Sequence, residues 1–146
     1  AVSQYRNYEF NSLEKIGSTY LAAAGDGIYE VETGTKDNDR IISAEVSLPT
    51  TDFGDDRQKR IRRYYVSGRF WGQLSIEIED DDGRTRTFPL VPEKTDGSLC
   101  TAVANIGMDG KGRFWKTRIM SDGVAFTINK IKVKPIFLSR KPSGVI

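Results

Sequence analysis

The chain contains no histidine, and that absence excludes more chemistry than any other feature of the composition. Serine or cysteine nucleophiles activated by an imidazole cannot be built, nor can zinc sites that use histidine ligands. A single cysteine, Cys100, rules out an internal disulfide framework and any thiolate metal cluster. No apolar run approaches the roughly 18 residues that a membrane helix needs, and the start carries no charged-then-apolar leader pattern. No Asn-x-Ser/Thr acceptor occurs. Charge of one sign is also missing in bulk: 22 Lys and Arg stand against 20 Asp and Glu, a net of +2, so whole-chain charge argues for neither nucleic acid nor an acidic surface. The expectation is a soluble, non-secretory domain with no cofactor, no metal and no membrane insertion.

What is present fits a small β protein. A length of 146 residues points to one domain, or one domain with an appended arm. The apolar share of 38% is low, but enough for a thin sandwich core. Periodicity is almost entirely two. In Gln73 to Glu79, Leu74, Ile76 and Ile78 share one face while Gln73, Ser75, Glu77 and Glu79 share the other. Lys130 to Lys134 alternates with its lysines outward, and Ile41 to Leu48 places Ile42, Ala44, Val46 and Leu48 together. Ile61 to Val66 is rich in β-branched and aromatic residues. Asp80-Asp81-Asp82-Gly83 reads as the turn of a hairpin into Arg84 to Leu90, and Ser121-Asp122-Gly123 as a second one joining Phe114–Ile119 to Val124–Ile128. The only helical expectation is a single turn near Asp55 to Lys59. The pattern predicts an all-β fold, an antiparallel β-sandwich of about eight to ten short strands with an N-terminal hairpin arm.

Three segments follow from texture. Residues 1–36 form an N-terminal arm and hairpin, in which Thr19–Ala24 and Ile28–Glu32 flank Gly25-Asp26-Gly27. Small residues on its first strand admit close approach of another sheet. Tyr5, Tyr8 and Phe10 crowd the start of the arm and are expected to dock on the chain's own sheet or on a neighbouring subunit. Residues 37–138 form the sandwich, and 139–146 a flexible tail. Gly68-Arg69-Phe70-Trp71 recurs as Gly112-Arg113-Phe114-Trp115, but the flanks do not align, so two similar strand starts are read here and not a duplicated domain.

Each candidate site has a plainer structural reading. Glu77, Glu79 and Asp80 to Asp82 crowd one hairpin tip, where oxygen ligands suit calcium, but EF-hand spacing is absent and a solvated turn balanced by Arg84 and Arg86 is preferred. Arg57, Lys59, Arg60, Arg62 and Arg63 lie beside Tyr64 and Tyr65, a composition that suits phosphate or bases. Strand alternation is expected to split them, with Arg60 and Arg62 on one face and Ile61, Arg63 and Tyr65 on the other, and Asp52, Asp55 and Asp56 lie just upstream. Ion pairing across a sheet or subunit contact is therefore preferred over nucleic acid. Each of the pairs Phe70-Trp71 and Phe114-Trp115 should send one member to the core and one outward. An outward Trp71 or Trp115 serves as an interface anchor, or alternatively as a platform for a host-surface glycan. Cys100 is expected to be a buried, inert thiol. The candidate interface is thus Tyr5, Tyr8, Phe10, Arg60, Arg62, Arg63, Trp71 and Trp115, with no catalytic, cofactor or metal residue. An enzyme built on carboxylates alone would need a cleft that brings Glu77, Glu79 and Asp80 together.

Ordered short motifs add a resemblance. Asn11 to Gly17, Tyr20-Leu21-Ala22-Ala23, Asp26 to Val31, Ile42-Ser43-Ala44-Glu45, Thr51-Asp52-Phe53-Gly54, Lys59-Arg60-Ile61, Gly112 to Trp115 and Ile136 to Lys141 occur in sequence. Together they resemble a β-rich module of tail-associated virion proteins of tailed bacteriophages and prophages. The resemblance implies a non-enzymatic structural protein of the virion tail (a tail, tail-tip or adaptor component), assembled in the bacterial host cytoplasm. Its partners would be copies of itself and other tail proteins, met through β-sheet edges and terminal arms. It carries over no catalytic residue, because the matching positions are turns and strand starts. Arg62-Arg63 and the acidic hairpin are denser in charge than the pattern.

Overall fold

A computed structural model describes residues 10–31, 36–37, 40–108 and 110–138. The chain divides into two compact units, residues 1–34 and 35–146. Among the described residues there is no helix, and none long and apolar enough to cross a membrane.

The first unit is a three-stranded antiparallel meander of β1 (Ser12–Ile16), β2 (Thr19–Ala24) and β3 (Gly27–Val31). Gly17, at φ 64°, supplies the left-handed residue between β1 and β2. The expected Thr19–Ala24 hairpin is present as β2 and β3, and β1 adds a third strand to it. The second unit opens with a two-residue ladder between β4 (Lys36–Asp37) and β5 (Arg40–Ile41).

Its body is an eight-stranded antiparallel sheet. The strands are β6 (Ser43–Ser47), β7 (Lys59–Phe70), β8 (Leu74–Glu79), β9 (Thr85–Pro92), β10 (Leu99–Asn105), β11 (Lys111–Gly112), β12 (Lys116–Asp122) and β13 (Phe126–Phe137). Their order is β11-β7-β10-β9-β8-β12-β6, with β13 also on β7. One strand makes the sandwich. β9 pairs β8 over Thr85 to Leu90, then pairs β10 through Val91 and Pro92. A strand that changes partners along its length turns one sheet into two packed layers. Tyr64 on β7 and Thr117 on β12, which are not neighbours in the sheet, join the layers by a hydroxyl hydrogen bond of 3.0 Å.

The apolar faces anticipated from period two meet in this core. Leu74, Ile76 and Ile78 of β8, Leu90 of β9 and Ile119 of β12 are buried with Ile61, Tyr64, Val66 and Phe70 of β7. On β10 the buried residues are small, and register sets Ala102 beside Val66 and Ala104 beside Tyr64, so bulk alternates with space across the ladder. Each fully buried aliphatic side chain contributes about 1.5–3 kcal/mol. Cys100 is buried, as expected, its Sγ 3.4 Å from the Lys94 carbonyl.

Two local expectations are corrected. The Ser121-Asp122-Gly123 turn does not close a hairpin: β12 pairs β6 and β8, whereas β13 crosses to β7. The Ser121 hydroxyl and the Val124 backbone instead bond each other and hold the crossing bend. No helical turn forms near Asp55. Its carboxylate accepts the Arg57 backbone N–H at 2.9 Å and closes an Asx turn, which competes with helix. Phe53 stands at φ 54°, a left-handed conformation uncommon for a bulky residue. It is held by the Thr51 hydroxyl on its own N–H and the Asp52 carboxylate on that of Gly54, with its ring against the core.

Candidate interaction surfaces

The arginine run of β7 is arranged differently from simple alternation. Ile61 and Tyr64 both face the core, three residues apart, so two residues are exposed between them, Arg62 and Arg63. The register explains it. Tyr64 pairs with Val133 and Ile61 with Pro135, which sets Arg62 and Arg63 together opposite Lys134. This is a β-bulge. Arg63 therefore does not share the Ile61 face, and Arg62 and Arg63 are exposed side by side, with half-buried Arg60 just before them. Sequence reasoning missed the bulge, although the apolar spacing Ile61, Tyr64, Val66 (three, then two) carried the signal.

β13 completes the surface. Lys130 pairs with Ser67 and Lys132 with Tyr65, so these lysines and Lys134 lie on the outer face of the same ladder, all exposed, while Ile131 and Val133 pack on the core. No Asp or Glu occurs in β7, β10 or β13. Two of the three upstream acids expected to neutralise the run, Asp55 and Asp52, are engaged locally. Asp55 grips the Arg57 guanidinium, with its nearest contact at 2.6 Å, and these hydrogen bonds hold Arg57 above its ordinary pKa. Asp52 is bound to the Gly54 N–H at 2.8 Å.

Lys59, counted with the run in sequence, does not belong to it. It is fully buried, and its ammonium donates to the Asp55 carbonyl and, at 2.8 Å, to the Arg113 carbonyl.

The two aromatic pairs each send one member inward, but in opposite order. Phe70 is fully buried and Trp71 is 50% exposed, whereas Phe114 is 43% exposed and Trp115 is fully buried. Trp115 is thus a core residue and not an outward anchor or platform. Thr51 and Trp115 bond each other's backbone in an isolated bridge, which fixes that strand start with the indole inward. Trp71 lies over Gly97, where an added Cβ would come within 2.5 Å of the ring. The Arg69 guanidinium donates to the Gly97 carbonyl at 3.1 Å, so Trp71 and Arg69 meet at one residue.

The acidic hairpin is mostly spent on structure. Asp80 is 8% exposed, and its carboxylate accepts the backbone N–H groups of Asp82 and Arg84 and faces Arg86 at 3.7 Å. Asp81 accepts the Arg113 N–H at 3.2 Å. Glu77 pairs with Arg118 and Glu79 with Lys116 across the β8–β12 ladder. Among the described residues no cluster of acidic, cysteine or histidine side chains could hold a metal.

On the first unit, Phe10 is half-buried and its ring lies 5.9 Å from that of Tyr29. Tyr5, Tyr8 and the segment 139–146 lie outside the described residues, as do Asn38 and Asp39. The meander exposes Leu13 at 61%, Ile16 at 63% and Ile28 at 75%. Register places Ile16, Leu21, Ala23 and Ile28 on one face, and Leu13, Ala22 and Tyr29 on the other.

No family model matches the chain, and neither a curated protein nor a solved structure matches it.

Proposed function

We propose that this protein is a non-catalytic structural component of a bacteriophage tail that associates with copies of itself and with adjacent tail proteins. The observation that carries the self-association is the first unit. A three-stranded sheet is stable in water only when a hydrophobic face is covered. Here Ile16 and Ile28 are exposed on one face and Leu13 on the other, and Ala22 is the unit's only buried apolar residue among those described. Each such side chain gains about 1.5–3 kcal/mol when fully buried. The outer strands β1 and β3 also have one unpaired edge each among the described residues, which favours strand addition. Ala22, Ala23 and Ala24 on the middle strand let a second sheet approach closely. The tail assignment rests on the ordered motifs quoted above, several of which are turns: Asp26-Gly27 between β2 and β3, and the Thr51 to Gly54 turn that seats Phe53.

Size-exclusion chromatography with light scattering tests the association. The full chain should run as a defined oligomer at micromolar concentration, and the double variant Ile16→Ser, Ile28→Ser should shift to monomer with the second unit's thermal transition intact. A wild-type monomer at hundreds of micromolar would overturn the self-association. Co-purification with tail particles, checked by immunolabelling, tests the virion assignment separately.

A further inference from the structure

We propose that the outer face of β7 and β13 binds an anionic polysaccharide, with Lys130, Lys132, Lys134 and Arg63 taking its charged groups and Trp71 stacking on a sugar ring beside Arg69. Three observations lead there. First, the cations are unneutralised: the three strands β7, β10 and β13 contain no carboxylate, and none of these four side chains forms an ion pair among the described residues. Elsewhere the sheet behaves differently, since Arg118 and Lys116 meet Glu45, Glu77 and Glu79. Second, the cations are in a row. Alternate residues of a strand lie about 6.6–6.8 Å apart, so Lys130, Lys132 and Lys134 form a linear ladder, which the bulge extends at its far end with Arg62 and Arg63. Such a row matches a linear polymer with repeated charge better than a single small anion. Third, the row ends on an aromatic ring. Trp71 rests one side on Gly97 and stays half exposed, and Arg69 is anchored to the same Gly97, so a ring-stacking position and a cation adjoin. An indole face binds the apolar C–H face of a sugar while the neighbouring cation takes a carboxylate, sulfate or phosphate on it.

Two other occupants fit less well. Binders of single-stranded nucleic acid set aromatic rings under successive bases. Here the outward residues of β7 between Trp71 and Arg63 are Arg69, Ser67 and a half-buried Tyr65, so Arg69 and Ser67 separate the two rings and no two rings stand in succession. A second copy of this chain offering its acidic hairpin would bring Glu77, Glu79, Asp80 and Asp81, whose carboxylates are already bound to backbone N–H groups and to their own arginines and lysine.

The test measures binding of the full chain to polygalacturonate, dextran sulfate, neutral dextran and a (dT)20 oligonucleotide, followed by calorimetry and by quenching of Trp71 fluorescence. Polygalacturonate and dextran sulfate should bind with strong salt dependence and neutral dextran should not. The triple variant Lys130→Gln, Lys132→Gln, Lys134→Gln should weaken binding at least about tenfold and flatten the dependence of log K on log salt by about two to three. Trp71→Ala should weaken polygalacturonate several-fold while leaving the salt slope unchanged. All four positions are exposed, so circular dichroism should not change and the thermal midpoint should not fall. Tighter binding of (dT)20 than of either polysaccharide would overturn the proposal in favour of nucleic acid. It would equally fall if neither polyanion bound, or if the lysine variant bound as tightly as the wild type.

Discussion

Lys59→Met is the sharpest test of how the second unit is held together. Lys59 opens β7, is fully buried, and spends its ammonium on two backbone carbonyls, those of Asp55 and Arg113. One lies in the loop that precedes β7 and the other in the loop between β11 and β12, so a single side chain ties two loops separated by 58 positions of sequence. Hydrogen bonds from a charged donor contribute about 1.5–3 kcal/mol each. Against the two of them stands the desolvation of a buried ammonium, which costs several kcal/mol and which methionine relieves. Methionine also keeps most of the volume, so little cavity opens. What remains is the loss at the two carbonyls, which must find water or stay unpaired at about 1–3 kcal/mol each if they stay buried. The expected net destabilisation is about 2 kcal/mol. Lys59→Ala adds a cavity and should cost about 1–2 kcal/mol more. Urea unfolding followed by tryptophan fluorescence reads both, with an unchanged denaturant slope as the check that the folded state is intact. A Lys59→Met protein as stable as the wild type, or more so, would refute the reasoning. The ammonium would then be a tolerated charge and not a tie.

Two further substitutions probe the core and its rim. Tyr64→Phe removes the hydroxyl that bonds Thr117 across the layers and should cost about 1–2 kcal/mol, because the Thr117 hydroxyl stays buried without its partner. Burial raises the Tyr64 phenol above its ordinary pKa, with the Thr117 bond partly offsetting the rise. The folded state thus holds this proton more tightly than the unfolded chain. Its contribution is full below the unfolded pKa of about 10 and is lost as pH climbs above it, so urea midpoints between pH 8 and 11 should fall less steeply in Tyr64→Phe. Gly97→Ala meets two obstacles, a φ of 78° and the Trp71 ring at 2.5 Å. The ring must swing away, so acrylamide should quench the variant more than the wild type, Trp115 being buried in both. Equal quenching would mean that Trp71 does not rest on Gly97.

Much of the fold was readable because period two reports burial directly. Leu74, Ile76 and Ile78 declared the inner face of β8, and the Asp80 to Gly83 turn returns the chain along β9 as expected. What could not be read was anything set by a partner strand. The crossing of β13 to β7 is decided by which edge its apolar face can cover, and Ser121-Asp122-Gly123 looks the same in either topology. The repeated Gly-Arg-Phe-Trp shows the limit well. Gly68 is required because a Cβ would strike the Thr127 carbonyl, whereas at Gly112 the nearest obstacle is the end of the exposed Asp81 side chain, which can give way. The four residues are identical, yet Phe is inside in one case and Trp in the other, since the phase is fixed by β13 and β10 on one side and by the Thr51 bridge on the other. Lys59 was misplaced for the same reason: a lysine among arginines reads as solvated until the two loops that receive it are seen.

The bulge at Arg62 and Arg63 is the step that turns composition into a surface. Without it, alternation would send Arg63 towards the core with Ile61, an arrangement that costs several kcal/mol for an unpaired buried charge. One inserted residue resets the phase, so that Ile61 and Tyr64 both reach the core and both arginines reach water opposite Lys134. The near-zero net charge of the chain then hides an uneven layout. Carboxylates of the β8–β12 layer are matched by Arg118, Lys116 and Arg86, while Arg63, Lys130, Lys132 and Lys134 of the β7–β13 layer form no ion pair among the described residues. Like charges at adjacent ladder positions repel and lower stability, a cost an anionic ligand would remove. Wild type should therefore gain thermal stability on adding polygalacturonate at low salt, and the Lys130, Lys132, Lys134 glutamine variant should start higher and gain less.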